Sequence, residues 1–175
     1  MDMLTLELLR YSGFDRRTFN YLMKPKLTIR FRGRDISVVP DLVLQQRGGA
    51  FRRCFVEESK KATNASTSEP QVVAETIAVA LDNWRAHSGD QTVYAVRVRG
   101  TKLRFYRATF YSEYLSTLAK STAPKGIANF MRFPANMGVS EGLDLLDNQQ
   151  RHTALLYLAS LRKVLQPTPP TSPST

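Results

Sequence analysis

Ile36-Ser37-Val38-Val39-Pro40-Asp41-Leu42-Val43-Leu44 is an apolar run broken by a single carboxylate. Its β-branched residues and leucines suit a buried strand. Asp41 is costly there unless it is paired or holds a cation. The next apolar run, Phe51 to Lys60, reads as a strand centred on Cys54-Phe55-Val56 and ends in Glu57-Glu58-Ser59-Lys60. A period of two puts Glu58 and Lys60 on one face. If the two strands pair, Asp41 and Glu58 converge on one cation with Lys60 beside it. A slip of one residue in the register would bring in Glu57 instead.

Elements extend in both directions from this pair. Upstream, Leu27, Ile29 and Phe31 alternate with Thr28, Arg30 and Arg32, and the turn is expected around Gly33-Arg34-Asp35. Ile36 to Leu44 then forms the return strand of one hairpin. Leu4 to Tyr11 suits a short helix ended by Gly13. Downstream, a polar stretch leads to Ser68 and Pro70, which open a helix to about His87. Val73, Ile77, Leu81 and Trp84 are its expected core face. Strands Thr92 to Arg99 and Lys102 to Phe110 meet at a tight turn, Gly100-Thr101, and a helix follows from Ser112 to about Leu118. An irregular section precedes a last helix, about Asp147 to Leu165, whose expected core face is Leu155, Leu156, Leu158, Leu161 and Leu165. The order predicts an α/β fold: a central mixed sheet of about five strands flanked by helices. Residues 1–166 form one domain, and the Pro-, Ser- and Thr-rich 167–175 an expected disordered tail.

The carboxylates suit phosphodiester hydrolysis. Mg²⁺ or Mn²⁺ prefers oxygen ligands and keeps several waters. It polarises a phosphate and lowers the pKa of a bound water. A lysine alongside can orient or deprotonate that water, or offset charge developing on the phosphate.

Pro40-Asp41, Glu58-x-Lys60 and the helix-strand-strand-strand-helix order around them resemble the PD-(D/E)XK nuclease superfamily, the restriction-endonuclease-like fold. The resemblance implies that Asp41 and Glu58 bind Mg²⁺ or Mn²⁺, with the Ser59 carbonyl as a further ligand, and that Lys60 is catalytic. Glu69-Pro70-Gln71-Val72-Val73-Ala74-Glu75 is similar to the helix after this motif in many such nucleases, where a Gln or Glu faces the site; Gln71 and Glu75 take that position here. Several members add an acid from the first helix, for which Glu7 is the candidate. Tyr94 to Thr101 with Phe105-Tyr106 resembles fungal proteins of the superfamily, including crinkler-type effectors. The resemblance spans about Thr28 to Leu165.

Charge agrees with an anionic partner. The 175 residues hold 25 Lys+Arg against 15 Asp+Glu, a net charge of +10. Nucleic acid, DNA or RNA, is the commonest partner of such a domain. Arg30, Arg32, Arg52 and Arg53 crowd the strands that carry the motif, and Arg97, Arg99, Lys102 and Arg104 alternate with apolar residues on the second hairpin. That alternation predicts an outward basic face contacting phosphates. One cysteine, Cys54, and two histidines, His87 and His152, exclude a disulfide framework and a cysteine- or histidine-rich zinc site. No stretch reads as a signal peptide or a membrane span, so an intracellular protein, nuclear or cytoplasmic, with no membrane partner is expected. The sequence does not select between a monomer and a homodimer. The competing reading is a non-catalytic nucleic-acid-binding or protein-interaction module that keeps the nuclease fold.

Overall fold

The computed structural model describes residues 3–47, 52–58, 68–120, 122–137 and 142–166; residues 3, 4, 52–58 and 68 enter through their backbone alone. The expected tail lies outside these residues, as do Ser59 and Lys60.

Helix α1 spans Met3–Tyr11, followed by strand β1, Phe19–Met23. Asp15 shapes the loop between them, its carboxylate accepting the backbone N–H groups of Arg17 and Thr18 at 2.8 and 2.9 Å. Strands β2 (Leu27–Phe31) and β3 (Arg34–Val38) form a separate antiparallel hairpin. Its turn is Arg32-Gly33, with φ of 49° and 74°, the left-handed pair that suits the twist of a two-residue hairpin. The expected return strand is therefore two strands. It ends at Val38, passes buried Pro40, and restarts as β4, Leu42–Gln46, in the main sheet. Proline has no N–H to give a ladder, which accounts for the break.

Strand β5, Arg52–Glu58, pairs antiparallel with β4, and helix α2, Ser68–Ala86, crosses to β6, Gln91–Arg99, which runs parallel to β5. Strand β7, Lys102–Phe110, returns antiparallel. Helix α3, Ser112–Ala119, leads to β8, Ala128–Phe133, and then β9, Leu143–Asp144; both pair with β7. Helix α4, Asn148–Leu165, closes the fold. The Asp147 carboxylate accepts the Gln150 N–H at its N-terminus, and Arg162 and Lys163 occupy its last turn, where cations meet the negative end of the helix dipole.

The architecture is mixed α/β, as expected, but the main sheet is larger than five strands. Seven strands join in it, in the order β1-β4-β5-β6-β7-β8 with β9 also on β7. The additional strands, β1, β8 and β9, come from segments with weak alternation. β8 is exposed at four of its six positions, so no apolar period marks it.

A core lies on each face of the sheet. On one face Leu9, Phe14 and Phe19 meet Leu42, Leu44, Val96, Val98, Leu103 and the α4 residues Leu158, Leu161 and Leu165. On the other, α2, α3 and the β2–β3 hairpin pack on Val43, Val93, Ala95, Tyr106 and Ala108. Two expected helix faces are corrected. In α4, Leu155 and Leu156 are 39% and 54% exposed, and Ala154 completes the buried line with Leu158, Leu161 and Leu165. In α2, Leu81 is buried as expected, but Val73, Ile77 and Trp84 are only partly so. Val72, Glu75, Thr76, Val79 and Asn83 are the buried ones. The indole N–H of Trp84 instead donates to the Ser112 hydroxyl of α3 at 3.0 Å. This rotation of the helix is what turns Glu75 onto the sheet.

Candidate functional site

Alternation along β4 decides which face Asp41 takes. Leu42 and Leu44 belong to the α1–α4 core and Val43 to the α2 core. Asp41, two residues before Val43, is therefore on the α2 face. It lies half-buried at the start of the strand, and its carbonyl accepts the Lys24 N–H at 3.0 Å.

The β4–β5 register pairs Leu42 with Val56, so one residue further the 57 position is level with Asp41. In the parallel ladder to β6, position 57 pairs with Arg97 and position 58 with Val98. Across β6–β7, Arg97 pairs with Arg104. A single cross-strand row therefore reads Asp41, 57, Arg97, Arg104 over four adjacent strands. Glu58 was expected opposite Asp41; alternation instead sets the 57 position on that face and the 58 position on the face of Val98. The carboxylates at 57 and 58, the Arg52 and Arg53 side chains, Ser59 and Lys60 lie outside what is described.

Helix α2 lies over this row. Glu75 is 1% exposed, and the Gln71 side-chain amide donates to its Oε1 at 2.9 Å. Its Oε2 is buried with no hydrogen-bond partner. Burial pushes the carboxyl up to about 7, the Gln71 amide opposes the rise, and the negative charge of Asp41 adds to it. The pair Gln71 and Glu75, expected to face the site, is thus on the side of Asp41. At the start of α2, Glu69 forms an ion pair with Arg132 of β8 at 3.2 Å, spanning the sheet's far strands. A cavity of about 560 Å³ opens there, lined by Glu69, Pro70, Val73, Phe130 and Arg132. Sequence reasoning missed Glu69 and Arg132, because only the tertiary pairing of β8 with β7 brings them to this face.

The basic residues depart from expectation. Arg97 and Arg104 are not on an outward face: they are 4% and 2% exposed, beneath α2. The alternation was read correctly, but both faces of a central strand are covered by helices. Arg99 and Lys102, at the end of the hairpin, are half-buried. Arg30 is exposed and forms an ion pair with Asp35 across β2–β3 at 2.8 Å. Arg32 sits in the hairpin turn with its guanidinium near the Phe31 ring. Tyr106 is 2% exposed and packs against Phe130, so it belongs to the core and is no stacking platform for a base.

Glu7 is not brought to Asp41. Its helix packs on the opposite face of the sheet, and its carboxylate lies 3.8 Å from the Arg10 guanidinium at a separate cavity of about 550 Å³. That cavity is also lined by Asp15, Arg16, Arg17 and Tyr21.

For a hard divalent cation the described donors are Asp41 and Glu75, both carboxylates, one with an orphaned buried oxygen. Among the described residues no three acidic, His or Cys side chains come close enough to hold a metal. The donor chemistry suits Mg²⁺ or Mn²⁺, and a complete set requires an acid from β5. Among the described residues no helix is long and apolar enough to cross a membrane. In comparisons with known proteins, no family model matches the chain and no curated protein is significantly similar to it.

Proposed function

We propose that this chain is a metal-dependent nuclease that hydrolyses phosphodiester bonds of DNA or RNA. The observation that carries the reading is the gathering of Asp41 and Glu75, from two separate elements, over the row that includes position 57. The element order supports a restriction-endonuclease-like core: a helix, three strands paired antiparallel (β1, β4, β5), a helix, and a strand parallel to the last of them.

Asp41 and the acid of β5 would hold Mg²⁺ or Mn²⁺, with the Ser59 carbonyl as a further oxygen donor. The ion, when bound, would polarise the phosphate and acidify a water. Lys60 would orient that water or offset charge developing on the phosphate. Gln71 orients Glu75 through its amide, and Glu75, enclosed beneath α2, adds negative charge beside Asp41 and so strengthens the pull on a cation. The register favours Glu57 over Glu58 as the β5 ligand.

The test is cleavage of plasmid and single-stranded substrates with Mg²⁺ or Mn²⁺. Asp41→Ala and Lys60→Ala should each lose at least about a hundredfold in rate, the scale of one missing acid–base or charge-stabilising group. Unchanged rates in both variants would overturn the reading. Salt-sensitive binding without any metal-dependent cleavage would favour the non-catalytic module.

A further inference from the structure

We infer that Arg97 and Arg104 form an anion cradle inside the site, holding a phosphate of the substrate backbone in the same cross-strand row as the metal-binding acids. The identity of the anion as a nucleic-acid phosphate rests on the nuclease reading; the cradle itself rests on the geometry.

Arginine keeps its charge at any ordinary pH. Directly paired residues on neighbouring antiparallel strands have Cβ atoms about 5 Å apart, and like charges so placed repel. Arg97 and Arg104 are such a pair, both almost wholly buried. Burying two guanidiniums side by side is strongly unfavourable without negative charge and well-aligned acceptors. The Arg97 Nε is buried with no hydrogen-bond partner. The Arg104 Nη2 donates to the Met137 carbonyl at 3.4 Å, a long bond to a neutral oxygen. Glu69, the nearest acid of α2 to this end, is engaged by Arg132 instead.

A phosphate meets what the pair lacks. It carries full negative charge and several acceptor oxygens, and it matches the planar fork of a guanidinium in two parallel bonds. The Tyr106 hydroxyl lies beside both guanidiniums on the same face and offers a further donor. Strand spacing sets the scale. The midpoint of Arg97 and Arg104 lies two strands from the midpoint of Asp41 and position 57, about 10 Å at about 4.8 Å per strand. Arginine side chains extending along the row shorten that gap. Acids at one end and arginines at the other thus divide the row into a cation half and an anion half. This is the polarity needed to hold a metal and a phosphate together.

Inorganic phosphate is the direct probe. The full chain, metal-free in chelator, is titrated with phosphate by calorimetry at constant ionic strength, and its thermal midpoint is followed in parallel. Phosphate should bind the wild type and raise its midpoint, as any ligand of the folded state does. Arg97→Gln should weaken binding about ten- to hundredfold, the worth of a charged hydrogen-bonded contact. Arg97→Lys keeps the charge and loses the fork, so it should fall between the two; it also serves if Arg97→Gln does not fold cooperatively. Arg17→Gln, exposed beside α1, should match the wild type. No phosphate binding by the wild type, or equal affinity in Arg97→Lys and wild type, overturns the cradle and leaves the two arginines with internal partners only. Phosphate binding that depends on Arg97 without metal-dependent cleavage upholds the cradle and removes the nuclease. Asp41-dependent cleavage with normal phosphate behaviour in the Arg97 variants does the reverse.

Discussion

Glu75 is the residue on which burial acts most plainly. Its carboxyl is pulled up to about 7 from an ordinary value of 4.5, first by desolvation. The folded protein therefore holds this proton more tightly than the unfolded chain does. The stabilisation is fully present below about pH 4.5 and is lost as pH rises through about 7. The interval is worth about 3 kcal/mol. Urea unfolding of the metal-free protein between pH 4.5 and 8 should show the wild type losing stability over this range relative to Glu75→Gln, which has no proton to lose. Parallel pH profiles for the two proteins would show that the carboxyl is not the cause. The β5 acid offers a second test at this scale. Under the register in the sheet, Glu57→Gln should reduce Mn²⁺ affinity, read by calorimetry, about tenfold or more, and Glu58→Gln should not. The reverse result would mean that the motif spacing, and not the ladder, selects the ligand.

At the scale of elements, two short contacts control how the sheet closes against α4. Gly142 lies so close to β7 that an added Cβ would meet the Leu103 carbonyl at 2.5 Å, a backbone atom that cannot swing aside. Gly142→Ala should cost about 1–3 kcal/mol by forcing β9 off β7, measurable in urea unfolding. Leu158 is fully buried in the α4 stripe, and Leu158→Ala should cost about 2–5 kcal/mol. A variant of Leu156, 54% exposed, should cost far less. This contrast separates the observed face of α4 from one centred on Leu155 and Leu156. The long elements α2, β6, β7, α3 and α4 were readable because each carries its own apolar period and end signals, such as Asp147 before α4. β1, β8 and β9 carry no comparable period and exist as strands because a neighbour offers them a ladder.

Across the whole molecule, the excess of ten positive charges predicts binding to single-stranded and duplex oligonucleotides that weakens steeply with salt. Fluorescence anisotropy across 50–200 mM salt should give a linear log–log plot with a slope of several. A slope near zero would mean that the charge serves another purpose. Part of that charge is not on the surface: Arg97 and Arg104 lie inside, and Arg30 is paired with Asp35. The solvent-facing share includes Arg10, Arg16, Arg17 and Arg47.

Local chemistry in the chain determined the α/β class, the basic balance, the strand-breaking Pro40, the isolated carboxylate of Asp41 and the helix bearing Gln71 and Glu75. Each of these follows from residue type and short-range period. Tertiary structure alone decided which positions share a face. The β4–β5 register set position 57 level with Asp41, the rotation of α2 enclosed Glu75, and helices on both sides of the sheet drew Arg97 and Arg104 inward. The physical reason is that register and burial are properties of pairs. A strand's alternation says that two faces exist, and only its neighbours say what each face meets.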